Sequence, residues 1–435
     1  MNLISSVVHT ILGDLTREEY KKFGLLSATL SFIVGTYWLL RPLKDALFTS
    51  IVGTLYFPYA KIASVIFLIP IILLYSKLVD IFEKQQLFYI ITPCYGFFFL
   101  CIAYLLTNPA AVIVNAIPFG YQILGWAVYL GVESFVLLVF SLFWSFVAST
   151  TDTASAKRGY ALIFAGAQTG TIIGPEFAKH ATQIGIPTLV FIAACGILII
   201  PLMIMLFVKL HPQVFNIATQ ERKMSTGFTE GLRLLFTKPY LIGILGIATL
   251  GSIIATILEF ELIYRAKEVY QSTEKITEFL GLYGQSANFS TLLFALFGTN
   301  FIIRKFGLTL ALVAYPITVG IIVYCTWCSP TLWVLFTAMV IIKCLSYALN
   351  GPCKEITYIP TSRDVKFKAK GWIDTIGYRF AESIGGAVGI LFPIITNLIF
   401  FGSIISFGVV ALWAVAAIYV GKKNHRLIQE GKIIE

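Results

Sequence analysis

Apolar runs of about 20 residues or more alternate with polar breaks along the whole chain. They are read at about 23–47, 56–78, 87–107, 121–149, 158–181, 186–209, 239–264, 277–303, 307–328, 331–350, 371–397 and 400–421. A 20-residue helix rises about 30 Å, roughly the hydrocarbon thickness of a bilayer, so each run is long enough to cross one. Most breaks are short, such as 80–86 and 108–119. Long polar connections fall only at 209–238 and 351–370. This pattern predicts an all-α membrane protein with twelve transmembrane helices in two six-helix halves. Residues 1–210 form the first half, 211–238 a cytoplasmic central loop, and 239–435 the second half.

Composition agrees: of 435 residues, 58% are hydrophobic and only 12% are charged, which no soluble domain of this size shows. The first 22 residues are too polar and too acidic for a secretory signal. A net charge of +10 raises the question of nucleic acid, but the positions of the basic residues answer it. Arg17, Lys21, Lys22, Lys84, Arg158, Arg222, Lys223, Arg304, Lys305 and the 422–432 cluster all fall on one side of the predicted spans. On the other side only Arg265, Lys267 and Lys275 stand out. By the positive-inside rule both termini are cytoplasmic, and the charge is a topology signal rather than a nucleic-acid footprint. The seven cysteines lie mostly in apolar runs. Cys325 and Cys328 have no second pair and no nearby histidine, so buried, unpaired thiols are expected, with no metal or redox site. Four scattered histidines argue against a membrane enzyme that depends on an intramembrane His base or a di-metal His cluster.

Charges inside the spans carry the candidate chemistry. Arg41, Lys44 and Asp45 close the first run at i, i+3 and i+4, with Pro42 loosening the backbone among them. A charge at the centre of a spanning helix costs about 3 kcal/mol even on the lenient insertion scale, and such residues usually face a bundle interior or a watery path. Glu133 lies in the fourth span, Glu259 and Glu261 in the seventh, and Lys343 in the tenth. Lys61 is in the second, and Asp374, Arg379 and Glu382 are in the eleventh. Spans 1, 4, 7 and 10 hold equivalent places in four three-helix units, and in the major-facilitator architecture those helices line the central cavity. The fold is therefore read as major-facilitator-like, and the charges as a solute path. Glu261 and Arg265 fit an i, i+4 pair, which leaves Glu259 for the cavity.

Two further patterns bear on packing and substrate. Gly166, Gly170 and Gly174 recur four apart and predict a smooth stripe for close helix contact; no Gly-Lys-Ser/Thr follows to make a phosphate loop. The late basic segment, Arg363, Lys366, Lys368 and Lys370, anchors the chain on the inside and would also concentrate a polyanion at a cytoplasmic mouth. Tyr347, Tyr358, Trp372 and Tyr378 could stack on a nucleobase there.

Residues 353–360, Cys-Lys-Glu-Ile-Thr-Tyr-Ile-Pro, continue through Lys366-Phe367-Lys368-Ala369-Lys370 to Ile373-Asp374, with Arg379 and Gly385-Gly386 beyond. This stretch resembles a segment of the nucleotide transporter family, the Tlc-type ADP/ATP translocases of plastids and obligate intracellular bacteria. The end of the first span (40–47) and the 143–166 junction are similar to that family too. The resemblance implies that Lys44, Glu133, Glu259 and either Lys368 or Lys370 are the substrate-critical charges. Pro42-Leu43 stands where many members have Asp-Thr; Ala381-Glu382-Ser383 stands where many have Gly-Lys-Ser, and the missing lysine loosens strict ATP/ADP exchange to a nucleotide of some kind. A chain shorter than the plastid forms points to a bacterial envelope.

The expected function is a membrane carrier for nucleotides, moving ATP/ADP or another NTP/NDP by alternating access, and not an enzyme. Expected substrate-binding residues are Lys44, Glu133, Glu259, Lys368, Lys370, Arg41, Lys343, Asp374 and Arg379, with no metal and no cofactor. Expected partners are the nucleotide, with phosphate or a proton as a further substrate, and the lipid bilayer; the chain is expected to be a monomer that binds no nucleic acid. Two alternatives stay open: a proton-coupled symporter of nucleotides or another phosphorylated anion, and a non-transporting scaffold or receptor whose buried charges are structural pairs.

Overall fold

The computed structural model describes residues 15–108, 120–151, 153–212, 233, 235, 237–362, 365 and 369–434. Helix dominates them, because lipid offers no water to a backbone N–H or C=O and a helix satisfies these groups internally. In order the helices of seven residues or more are α1 (Arg17–Phe48), α2 (Phe57–Ile81), α3 (Lys84–Thr107), α4 (Gly120–Thr150), α5 (Thr153–Ala178) and α6 (Ile186–Leu210). There follow α7 (Pro239–Val269), α8 (Thr273–Cys328), α9 (Leu332–Leu345), α10 (Gly351–Thr357), α11 (Tyr378–Leu391) and α12 (Ile395–Gln429). Helix α8 is broken at Gly307, whose φ of 77° suits glycine and no L side chain. Among the described residues, eight helical stretches are long and apolar enough to cross a membrane, the first, Arg17–Ile81, running through α1 and α2. At 14 residues α11 is too short alone. The chain is an all-helical, multi-pass membrane protein, and the number twelve stays an expectation. The central loop expected at 211–238 lies almost wholly outside the described residues.

The helices form two compact units. The first takes in Met1–Gly53, Ile66–Lys223 and Tyr270–Gln285. Its α1 starts on a capping box: Thr16 Oγ1 accepts from the Glu19 N–H at 3.2 Å, and the Glu19 carboxylate accepts from the Thr16 N–H at 2.9 Å. The expected glycine stripe of α5 lies on α1. A Cβ at Gly166 would collide with the Ser27 carbonyl, one at Gly170 with that of Ser31, and one at Gly174 with that of Gly35. Lipid tails are as apolar as the helix faces, so van der Waals contact at small residues, not water release, holds such helices together.

The second unit takes in Thr54–Val65, Met224–Val269 and Ser286–Glu435. Here α7 is the central helix: Gly243 lies on Val420 and Gly251 on Trp413 of α12, while Gly385 of α11 lies on Thr256 and the Ile253 carbonyl. A buried relay locks the start of α7, with Asn424 donating to the Tyr240 hydroxyl at 2.9 Å and that hydroxyl donating to the Thr357 carbonyl at 2.7 Å. All seven cysteines are free thiols. Only Cys344 and Cys353 are buried, whereas Cys94, Cys101, Cys325 and Cys328 are exposed. That corrects the expectation of burial: an apolar run in a membrane helix has an outward face as apolar as its inward one.

Candidate functional site

The end of α1 builds the first cluster. Lys44 is 2% exposed, and its ammonium donates to Asp45 Oδ1 at 2.7 Å. It also lies 3.1 Å from Glu133 Oε1 of α4 and 4.1 Å from the centre of the Tyr129 ring. Phe48 packs on Tyr129 at 5.1 Å and on Trp126 at 5.0 Å, which closes the cluster with aromatic rings. A lone ammonium at this depth would cost several kcal/mol, and two carboxylates and a ring face compensate it. Arg41, one turn earlier, lies over the Trp38 ring at 5.2 Å.

The backbone is irregular beside this cluster. Helix α1 runs straight into a π turn at Thr49–Gly53, where Thr49 Oγ1 donates to the Asp45 carbonyl at 2.9 Å. Gly53 ends it at φ 115°, a conformation other residues rarely adopt. Two more π turns occur among the described residues: Ser346–Asn350, just after Lys343, and Trp372–Gly377, which contains Asp374 and precedes Arg379. Such turns give up regular i to i+4 bonding and gather at functional sites. Each adjoins a residue singled out from its charge, and nothing in the hydrophobic pattern announced them.

In the second unit Glu259 of α7 pairs with Lys61 of α2 at 2.9 Å, both 8% exposed. Phe57 lies edge-on to Phe260 at 5.6 Å beside them. The approach of α2 depends on glycines of α11: a Cβ at Gly386 would come within 3.3 Å of the Pro58 carbonyl, and one at Gly389 within 2.8 Å of the Pro58 ring. Sequence reasoning saw Lys61 as a buried charge but not as the partner of Glu259; a lysine inside an apolar run was the signal.

The late segment forms a looser set. Lys354 donates to Asp374 at 2.6 Å, and Lys370 to Glu355 at 2.7 Å. Lys370 also lies 5.9 Å from the ring of the buried Tyr358. Arg379 lies 3.4 Å from Glu382, one turn along α11. Lys343 lines a small polar recess with Ser252, Tyr315, Tyr347 and Asn350. Lys368, with Arg363 and Lys366, lies outside the described residues. The structure thus joins Lys44 to Glu133 and gives Glu259, Lys370 and Asp374 partners that were not in the expected set.

One expectation fails. Glu261 does not pair with Arg265: the Arg265 guanidinium reaches the other way, to Glu268 at 2.7 Å. Glu261 is 1% exposed and its Oε1 accepts no hydrogen bond among the described residues. The i, i+4 spacing was right for a surface helix, but here Glu261 faces the packed side of α7 and Arg265 the more open one.

Comparisons with known proteins agree with this architecture. Solved structures with the same fold include a bacterial homologue of the iron transporter ferroportin in its inward-facing state (15% identical, TM-score 0.62, covering 94% of this chain and 99% of that one). The nucleoside transporter NupG (16%, TM-score 0.58, 94% and 99%) and a D-xylose–proton symporter (13%, TM-score 0.59, 92% and 97%) are others. At these identities the likeness establishes the fold, which is that of major-facilitator-like transporters. In sequence the chain is 24% identical to ADP,ATP carrier protein 3 of Rickettsia bellii over 95% of both chains. It is 25% identical to ADP,ATP carrier protein 1 of Rickettsia typhi over 98% of both. The family model described as "TLC ATP/ADP transporter" matches residues 5–117 and 128–424, nearly the full length. The chain belongs to the TLC ATP/ADP transporter family.

Proposed function

We propose that this protein is a membrane carrier that moves a nucleoside di- or triphosphate across the bilayer by alternating access. The observation that carries the reading is the buried Lys44, held by Asp45 and Glu133 and covered by Tyr129. A phosphate group offers an ammonium what these carboxylates offer, with more charge, so it can displace them. Lysine is a point charge rather than a rigid fork, which suits a ligand that must be released. Without substrate the lysines are neutralised by Asp45, Glu133, Glu259, Glu355 and Asp374; with substrate those carboxylates are set free, and the carrier favours a different arrangement. Exchange of ATP for ADP follows if the empty, fully paired form reorients slowly.

Arg41, Lys343, Lys368 and Arg379 complete the proposed substrate set, with Lys370 as a capturing charge. In this reading 1–210 and 239–435 are the two moving halves and 211–238 links them. The protein lies in the inner membrane of a bacterial cell with both termini in the cytoplasm, acts as a monomer, and carries phosphate or a proton in addition to nucleotide. Displacing a carboxylate from a lysine breaks no covalent bond, so the activity proposed is transport and not turnover.

The test is uptake of a panel of labelled nucleotides by cells expressing the protein, with and without internal nucleotide and with an uncoupler. Uptake that needs Lys44 and is stimulated by internal nucleotide is expected. Wild-type uptake by Lys44→Ala would remove that residue, and no nucleotide uptake by either protein would end the proposal.

A further inference from the structure

Helix α7 carries a second glutamate that the substrate pairs do not use. Glu261 is buried at 1% exposure, and its carboxyl rests over α12 at Gly402, with Oε1 3.7 Å from where a Cβ on that glycine would lie. Ile257 and Leu398 crowd the same point, so the surroundings are hydrocarbon. Oε1 accepts no hydrogen bond among the described residues, and neither does Nε of Arg265, one turn along, find an acceptor. A carboxylate ionised here would be an unpaired charge in an apolar setting, which is costly enough that such groups hold a proton instead. If the position served packing alone, a leucine would fill it without the polar atom.

The surrounding charges leave Arg265 as the one within reach. On α7, Glu259 is taken by Lys61 of α2, and Glu268 by Arg265 itself; Lys267 lies at the exposed end. Between Ile395 and Val420, α12 has no charged side chain. On α11 the charged groups are Arg379 and Glu382, which pair with each other two turns or more from Gly389, where α11 meets Phe260. Lys343 of α9 lines the recess around Ser252, more than two turns back along α7. Arg265 sits at i+4 from Glu261, the spacing at which the two can meet on a helix.

We propose that Glu261 is a proton-binding site, and that Arg265 is its alternate counter-ion. In this conformation the carboxyl is a neutral acid and Arg265 is bound to Glu268. For release, the acid O–H bond breaks and the proton passes to water. The new carboxylate then accepts the Arg265 Nε–H, and Glu268 is left to solvent. The site lies two residues from Glu259, on the same helix, so a movement of α7 that frees Glu259 from Lys61 also shifts Glu261 and links the proton to the substrate. This inference rests on the carrier reading and names its coupling ion.

The full-length protein in proteoliposomes is the sample. Infrared pH-difference spectra should show a protonated carboxyl band at neutral pH that Glu261→Gln lacks. In Arg265→Gln the same band should persist to higher pH, because the cation that favours the carboxylate is gone. Proton movement driven by ATP or ADP, read with a pH dye inside the vesicles, should be lost in Glu261→Gln, together with the pH dependence of whatever nucleotide flux remains. Absence of a Glu261-dependent band, no shift in Arg265→Gln, or unchanged proton movement in Glu261→Gln overturns the proposal. The infrared reading does not need transport, so a Glu261 band in a protein that moves no nucleotide would leave the proton site standing and defeat the carrier reading alone.

Discussion

Lys44 and Lys370 carry the same charge and are matched by the same kind of carboxylate, at the same 2.7 Å, yet they are different devices. Lys44 is 2% exposed and has two carboxylates and a ring around it; Lys370 is 32% exposed and its Glu355 is 46% exposed. In the buried case every component of the pair has given up water, so removing one partner strands the others at a cost of about 3–5 kcal/mol. In the exposed case water replaces a lost partner, and the pair is worth about 0–1 kcal/mol. A buried pair can therefore hold a conformation until a stronger anion arrives, whereas an exposed one can only raise the local concentration of that anion.

The comparison can be broken at its strong end first. Lys44→Ala should lose uptake and about 3–5 kcal/mol of stability, read as a lower unfolding midpoint in detergent. Lys44→Ala combined with Glu133→Gln should lose less than the sum of the single changes, because the two side chains share one interaction. An additive result would mean that they do not work as a pair. Next comes the packing that holds α1 in place: Gly170→Ala should cost about 1–3 kcal/mol, since its Cβ meets the Ser31 carbonyl, which cannot move aside as a side chain end would. Wild-type unfolding there would show that α5 can slide on α1. The smallest effect is expected at the exposed end. Lys370→Ala should change stability by less than about 1 kcal/mol, yet slow uptake at low nucleotide concentration and flatten its dependence on salt. If Lys370→Ala destabilised the protein as much as Lys44→Ala, exposure would not be what separates the two lysines.

Much of the site was legible because a charge in an apolar run is costly and so calls for an explanation. Lys44, Glu133 and Glu259 stood out on that ground alone, and the glycine stripe of α5 on its spacing. Partners were less legible. Lys61 and Glu259 are about 200 residues apart, and no local rule joins them; Lys354 and Asp374 are likewise separated by a stretch that no helix spacing bridges. Glu261 and Arg265 show the reverse error, a local rule applied where packing had turned the two side chains to different surroundings. The π turns beside Lys44, Lys343 and Asp374 were invisible, since hydrophobic periodicity is too coarse to register one inserted residue.

Residue order by itself determined that the chain is helical, that it crosses a membrane repeatedly, and which spans carry charge. Those properties follow from the free energy of placing each residue in lipid, which is summed locally along a helix. Tertiary structure alone decided which ammonium meets which carboxylate, that Glu261 Oε1 accepts no hydrogen bond among the described residues, and which cysteines are covered. These depend on the rotation of each helix about its axis and on how near its neighbours come, and both are set by side chains far away in the chain.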